Sequence, residues 1–521
     1  MSGLPDRKVV AYRDPELDYP VTAPFDPSEL NPEYPFGSEA VSDKNLVYAA
    51  VREVLYSAGL DEARFGTSEW NPLSQLVSTG GTVLIKPNWV RHYHPLGYDL
   101  FGTITHPSVL RPLVDYAYKA VGPSGRIWIM DAPLYDTDFQ TLSKICQLTE
   151  FESAMRSRGV PLTIADLRSL VVKMDRGVVV ERIQQDAWAS EGVVFDLASA
   201  SELFELGPTL HNIFGSDYNR RLTTSLHRRV NGHQQHCYRI SRRVLEADLV
   251  ISVPKLKTHK KTGVTLNVKN MIGINTDKNY IPHFRVGSPA EGGDEYPDTS
   301  SMIKRARRRM VRSARETILG RLGSSGERVA HLFMTMLLAA RDKVPVADSP
   351  AEDFAPAVDE VDVFYQSVQG DAFRHGDWWG NDTCWRSALD INKILLYGTV
   401  EGVLAETQAR KYFSLIDGII AGDEIGPLAP SPRREGVLVA GFDPLSVDRV
   451  ATQVMGFDPN LIRDQARASN LTKYRLTNSD LPIRVISNHI EWQDTINTGS
   501  DLNFRPHYAW TEYFQRASRE N

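Results

Sequence analysis

Residues 82–90 read TVLIKPNWV, an apolar run after Gly80-Gly81 that stops at Lys86-Pro87-Asn88. A helical pattern opens at His106-Pro107 and carries Leu110, Leu113, Val114 and Ala117 toward Val121. Residues 126–130 (RIWIM) form a second run, which stops at Asp131-Ala132-Pro133. Strand, helix and strand at this spacing predict a βαβ unit with parallel pairing. The same order recurs downstream. Residues 248–253 end at Pro254-Lys255, residues 412–416 at Asp417-Gly418, and residues 436–440 at Gly441-Phe442-Asp443-Pro444, with a helix predicted over 447–455. Residues 482–486 supply a last strand candidate. Continuous apolar runs imply strands covered on both faces. The expected fold is therefore α/β, a mostly parallel sheet with helices on both faces.

With 521 residues the chain has room for two to four structural units, at roughly 150 residues each. Residues 1–80 read as an aperiodic N-terminal arm followed by a helix over 45–60. Residues 81–275 form a first α/β half with a polar, β-rich excursion at 165–245. Residues 276–398 are an insertion, and 399–521 are the second half with a C-terminal tail. The insertion holds a lid loop, a basic helix over 303–318 and an apolar helix over 328–342. A cationic helix beside an apolar one fits docking on an anionic membrane surface; a solvated charged face over a buried helix, or a homo-oligomer contact, fits the same pattern.

Composition excludes several classes. The hydrophobic share is 42%, the charged share 24% and the net charge -6, so the chain is globular and nothing in its overall charge suggests a nucleic-acid partner. Cys146, Cys237 and Cys384 are too few for a disulfide scaffold or a four-thiolate zinc or iron–sulfur site. No segment reaches the roughly 18 apolar residues that a membrane span requires, and the N-terminus lacks an apolar signal core. A cytoplasmic protein is expected, peripheral at the inner membrane face if residues 303–342 dock there. A G-x-G-x-x-G turn, a P-loop, a G-x-S-x-G elbow and an H-E-x-x-H helix are all absent, which argues against a common NAD enzyme, kinase, serine hydrolase or zinc protease. His227, His233, His236 and Cys237 match no standard zinc spacing.

Ligands of open parallel sheets bind beyond the carboxyl ends of the strands. That rule gathers Lys86, Asn88, Asp131, Lys255, Lys257, Asp417 and Asp443 at one edge. Each Asp or Pro alone is explained by turn formation, but turns do not require the lysines. Residues 253–270 read VPKLKTHKKTGVTLNVKN, a basic loop that feeds a helix-like pattern. Point charges followed by free backbone N–H groups suit a phosphate or carboxylate; a solvated basic loop is the plain alternative. Lys86, Asn88, Lys255, Lys257, Asn267, Lys269 and Asn270 are the substrate-binding candidates. His106, His259, His283 and Asp131 are the candidates for proton transfer. Asp131, Asp417 and Asp443 are the candidates to hold Mg²⁺, Mn²⁺ or Ca²⁺. Trp378-Trp379 reads equally as a ring-stacking surface and as core.

Read in order, VLIKPNWV (83–90), THPSVL (105–110), MDAP (130–133), ADLVISVPKLKTH (247–259), GVTLNVKNMIG (263–273), DGI (417–419) and GVLVAGFDPLSVD (436–448) resemble bacterial proteins that carry domain of unknown function 362. The insertion, with NYIPHFRVGSPAEGGDEYPD and WWGNDTCWR, is similar to a subgroup found near polysaccharide and natural-product gene clusters. The Cys-rich iron–sulfur motifs that some members append are missing, so no such cluster is expected. The resemblance implies an α/β fold and leaves the chemistry open. The leading expectation is an enzyme acting on an anionic small molecule or activated glycan intermediate, with a divalent cation as its cofactor. A membrane-peripheral binding or scaffold protein of a polysaccharide system is the alternative.

Overall fold

The computed structural model describes residues 6–37, 41, 45–175, 178–210, 212–215, 220–230, 232–299, 375–493 and 501–520. The basic and apolar segments at 303–318 and 328–342 lie outside them.

The predicted runs become strands β2 (Thr82–Pro87), β3 (Arg126–Asp131), β5 (Leu249–Val253), β8 (Lys411–Asp423), β9 (Ser431–Gly441) and β10 (Arg484–Ser487), and an unpredicted strand, β4 (Leu162–Asp166), lies beside β3. Three further strands, β1 (Lys8–Arg13), β6 (Lys255–His259) and the two-residue β7 (Gly263–Val264), complete a ten-stranded sheet. Its order is β10-β1-β9-β8-β5-β2-β3-β4, with β6 continuing the line of β5 along β8 and pairing with β7. Strands β4, β3, β2, β5 and β8 run parallel, and β9 returns antiparallel to both β8 and β1.

Alternation along each strand sends side chains to two cores. Val83, Ile85, Ile127, Ile129, Leu249 and Ile251 face helices α1 (Leu46–Ser57) and α2 (Pro107–Val121). Leu84, Trp128, Met130 and Val250 face the other way, toward α3 (Leu266–Asn270) and α4 (Cys384–Tyr397). A third core packs α5 (Pro444–Val454) against Val9, Ala11, Val437 and Val439. Among the described residues no helix is long and apolar enough to cross a membrane.

The structure corrects three expectations. The N-terminal arm is not only a surface strap, because KVVAYR (8–13) is a strand between β9 and β10, too short for its pattern to stand out in sequence. The basic stretch after Pro254 is no solvated loop. Lys255, Leu256, Lys257, Thr258 and His259 form a buried strand whose alternation puts both lysines and the histidine on one face and Leu256 on the other. Asp417-Gly418 does not end a strand either; β8 runs through it to Asp423, past an irregularity between Gly418 and Ile420. Gly418 serves close packing there, since a Cβ would sit 2.7 Å from Leu256 Cδ2. Trp378 resolves to core, its indole N–H bonded to Asp294 O (2.9 Å), and Trp379 stacks on Tyr513 at 4.8 Å.

Val9, at 0% exposure, tests the placement of the first strand. Val9→Asp is expected to destabilise the chain by more than about 4 kcal/mol in urea melts, as an unpaired charge in a core does. A strap lying on the surface would tolerate the change within roughly 0.5 kcal/mol.

Candidate functional site

The carboxyl ends of β2 and β3 place Lys86 and Asp131 side by side. Lys86 Nζ donates to Asp131 Oδ1 (2.6 Å) and to Asn270 Oδ1 (3.1 Å), and the Trp89 backbone N–H donates to Asp131 Oδ2 (2.7 Å). Asn88 Nδ2 also donates to Asn270 Oδ1 (3.0 Å), while Asn88 Oδ1 accepts from Lys257 Nζ (2.9 Å). Asp131, Lys86, Asn270, Asn88 and Lys257 thus form one buried chain of polar contacts. Gly273 is what lets it close, because a Cβ there would lie 2.1 Å from Asp131 Oδ1 and 2.6 Å from Lys86 Nζ.

The lysines divide into two kinds. Lys86 has Asp131, Lys255 has Asp417 and Lys261 has Asp377 as a partner. Lys257, Lys269 and Lys278 have no carboxylate within ion-pair distance among the described residues. Lys257 is 0% exposed and donates only to Asn88 Oδ1 and Thr103 O. Burial, reinforced by Lys255 and Lys269, pushes its pKa well below the usual lysine value. Lys278, 6% exposed, donates to Ala132 O (2.7 Å), and burial lowers it to about 7. The side chain of Lys269, which is partly exposed, makes neither a hydrogen bond nor an ion pair among the described residues. It is nevertheless close enough to disfavour protonation of Lys86, Lys257, His259 and His283. Uncompensated buried charge is expensive, so a cluster short of negative charge is arranged to receive an anion.

His259 adds a donor. Its Nδ1 accepts the backbone N–H groups of Lys261 (3.0 Å) and Thr262 (3.3 Å), which leaves the proton of the neutral ring on Nε2. Burial and then the surrounding lysines keep the ring neutral. His283 is partly exposed, its Nδ1 meets Ile281 O at 2.9 Å, and the nearby Lys269 and Lys261 disfavour its protonation.

Other candidates are held elsewhere. Lys255 Nζ donates to Asp417 Oδ2 (3.0 Å) and to the Tyr19 hydroxyl (2.7 Å), which itself donates to Asp417 Oδ1 (2.5 Å). The backbone N–H of His106 also donates to Asp417 Oδ2 (3.0 Å), and the His106 ring stacks on Tyr19 at 4.2 Å. His106 caps α2, its Nδ1 accepting the Ser108 N–H (3.1 Å), and is kept neutral by burial and by Lys255. These contacts tie Tyr19, His106 and Lys255 to Asp417. Asn267 is also structural. Its amide donates to Asp448 Oδ1 (2.8 Å) and its carbonyl accepts from Tyr412 (3.0 Å) and Ser414 (2.7 Å), which ties α3 to α5 and β8. Asp443 caps α5 through the Ser446 N–H and accepts from Thr477 Oγ1 (2.6 Å).

The three proposed metal ligands therefore stay apart. Asp131 is tied to Lys86 and Asp417 to Lys255, on strands separated by β2 and β5, while Asp443 serves a helix. Among the described residues no group of three or more His, Cys, Asp or Glu is placed to hold a metal ion. Sequence reasoning passed over Tyr19 and Lys278, whose partners Asp417 and Ala132 lie far away in the chain and leave no local pattern.

The Asp417 knot predicts a measurable asymmetry. Asp417→Ala should cost about 3–5 kcal/mol in urea melts, because it strands Lys255 as a buried charge. Lys255→Met/Asp417→Leu together should recover most of that loss. Equal costs for the single and double variants would contradict the assignment.

Comparison with known proteins bears on part of this site. Residues 205–453 match the family model described as "Domain of unknown function (DUF362)", so the resemblance read from the sequence holds over that segment. The segment contains Lys255, Lys257, His259, Lys269, Asn270 and Lys278, whereas Lys86, Asn88 and Asp131 precede it. No curated protein and no solved structure matches the chain.

Proposed function

We propose that this chain is an enzyme that binds an anionic small molecule, phosphate- or carboxylate-bearing, over the carboxyl edge of its parallel strands. Activated glycan and natural-product intermediates belong to that substrate class. The observation that carries the reading is the set of three lysines, Lys257, Lys269 and Lys278, without a carboxylate partner among the described residues around one polar network. Lys257 and Lys269 supply the charge, His259 supplies a neutral Nε2–H donor, and Asn88 and Asn270 fix the lysine positions through their amides. The Lys86–Asp131 pair serves as the rigid floor of the site. A divalent cation held jointly by Asp131, Asp417 and Asp443 does not fit these residues, and no step is assigned to one.

An ammonium without a counter-ion, whether buried like Lys257 or partly exposed like Lys269, hardly stabilises the free protein, so its removal separates binding from folding. Lys257→Met and Lys269→Met are expected to leave the melting temperature within a few degrees of native or to raise it. Each should weaken binding of inorganic phosphate, measured by calorimetry, by tenfold or more, the effect of losing a charge-assisted hydrogen bond worth about 1.5–3 kcal/mol. Unchanged phosphate binding in both variants would place the site elsewhere.

A further inference from the structure

His259 is 5% exposed, and among the described residues its Nε2 has no hydrogen-bond partner. Its Nδ1 is occupied by the N–H groups of Lys261 (3.0 Å) and Thr262 (3.3 Å), so the turn 260–262 decides which ring nitrogen carries the proton. That turn is held from outside. The Lys260 N–H donates to Gly426 O (3.1 Å), and Lys260 O accepts from Trp510 Nε1 (2.8 Å), so both polar groups of the Lys260 backbone are fixed. Trp510 belongs to the helix Tyr508–Glu520, 250 residues further along the chain. It is 1% exposed, and its ring rests on Gly263, where a Cβ would lie 3.1 Å from Trp510 Cζ3. Gly263 is the register partner of His259 across β6 and β7. The segment before the helix is anchored on the same turn's neighbours: Arg505 O accepts the Glu424 N–H (2.9 Å), and Glu424 O accepts from Thr258 Oγ1 (3.1 Å). Packing on Gly263 asks only for a ring at position 510. The bond to Lys260 O asks for the indole N–H, which no other aromatic side chain supplies in that place. Arg505 and Trp510 both lie outside the segment that the family model matches.

We propose, resting on the anion-binding reading above, that Trp510 is a positioning residue of the anion site: its indole N–H fixes the turn 260–262, and the turn holds His259 as an Nε2–H donor. A neutral imidazole donates from one nitrogen only, and the bond made by the other nitrogen chooses which. With the Lys261 and Thr262 N–H groups directed at Nδ1, the proton stays on Nε2 and is ready for an anion. A turn released from Trp510 no longer enforces that choice. The proton then visits Nδ1, and Nε2 meets the anion with a lone pair instead of a donor. A donor fixed before the ligand arrives costs no reorganisation when it binds, which is what the distant helix contributes.

Calorimetric titration of the full chain with inorganic phosphate would compare the native protein with Trp510→Phe, which keeps an aromatic ring and loses the N–H. Heteronuclear NMR of histidine-labelled protein would read the His259 tautomer, its signals assigned by their loss in His259→Phe. Trp510→Phe is expected to weaken phosphate binding about fivefold, the effect of one hydrogen bond. It is also expected to give His259 a mixture of tautomers, where the native ring is protonated on Nε2 alone. If Trp510→Phe does not fold, the benzothiophene analogue of tryptophan at position 510, with sulfur in place of the N–H, keeps the shape for the same comparison. Phosphate binding as tight as native or tighter in the folded variant would overturn the proposal. So would weaker binding with His259 still wholly protonated on Nε2, which is what a packing role alone gives. A native His259 protonated on Nδ1 would overturn it without any variant. Each of these results leaves the anion reading standing, whereas a folded native chain that binds no phosphate would remove that reading and this proposal together.

Discussion

A buried ammonium must meet negative charge or give up its proton, and the carboxyl edge of this sheet carries more lysines than carboxylates to meet them. That imbalance organises the molecule. Where a carboxylate is supplied, as for Lys86 and Lys255, the lysine becomes part of the scaffold and locks strands or the N-terminal segment together. Where none is supplied among the described residues, as for the buried Lys257 and Lys278 and the partly exposed Lys269, the fold holds an amine in place for something else to complete. The cost of burying Lys257 and Lys278 is the physical reason to assign them to a ligand and not to stability.

The backbone makes this possible through close approach. Parallel strands bring their carboxyl ends to one edge, and β6 prolongs that edge by continuing the line of β5 beyond Pro254. Alternation along KLKTH then presents Lys255, Lys257 and His259 on one face. Gly273 leaves room for the Lys86–Asp131 pair beneath α3, and Asp448 holds the first turn of α3 by accepting the N–H groups of Asn267 (2.8 Å) and Val268 (2.8 Å). Fixed backbone around a cluster of amines keeps their mutual repulsion from relaxing, so an arriving anion meets a site already arranged for it.

How much of this could be read in advance depended on how local the signal was. The apolar runs ending in Lys-Pro-Asn, Asp-Ala-Pro and Pro-Lys disclosed the parallel sheet and the edge where Lys86, Asn88 and Lys257 meet, because strand length and strand ends are local properties. The period-two alternation of KLKTH was present in the letters, but the density of charge made it look like a loop. Asp417 resembled a turn residue because Asp-Gly usually is one, and only its pairing with Lys255 and Tyr19, from distant parts of the chain, makes it a mid-strand anchor. Asn267 could not be told from Asn270 by sequence, since both follow the same basic stretch. One is consumed by Asp448, Tyr412 and Ser414, and the other faces Lys86 and Asn88. Tyr19 and Lys278 owe their roles wholly to tertiary placement.

The central claim is that an anion completes the charge of the Lys257–Lys269 cluster. Crystals of the full chain soaked in selenate, a sulfate analogue with an anomalous scatterer, test it most directly. The account predicts an anomalous peak within hydrogen-bonding reach of Lys269 Nζ, close to Lys257 and His259. Selenate found only at other positions on the molecule would contradict it.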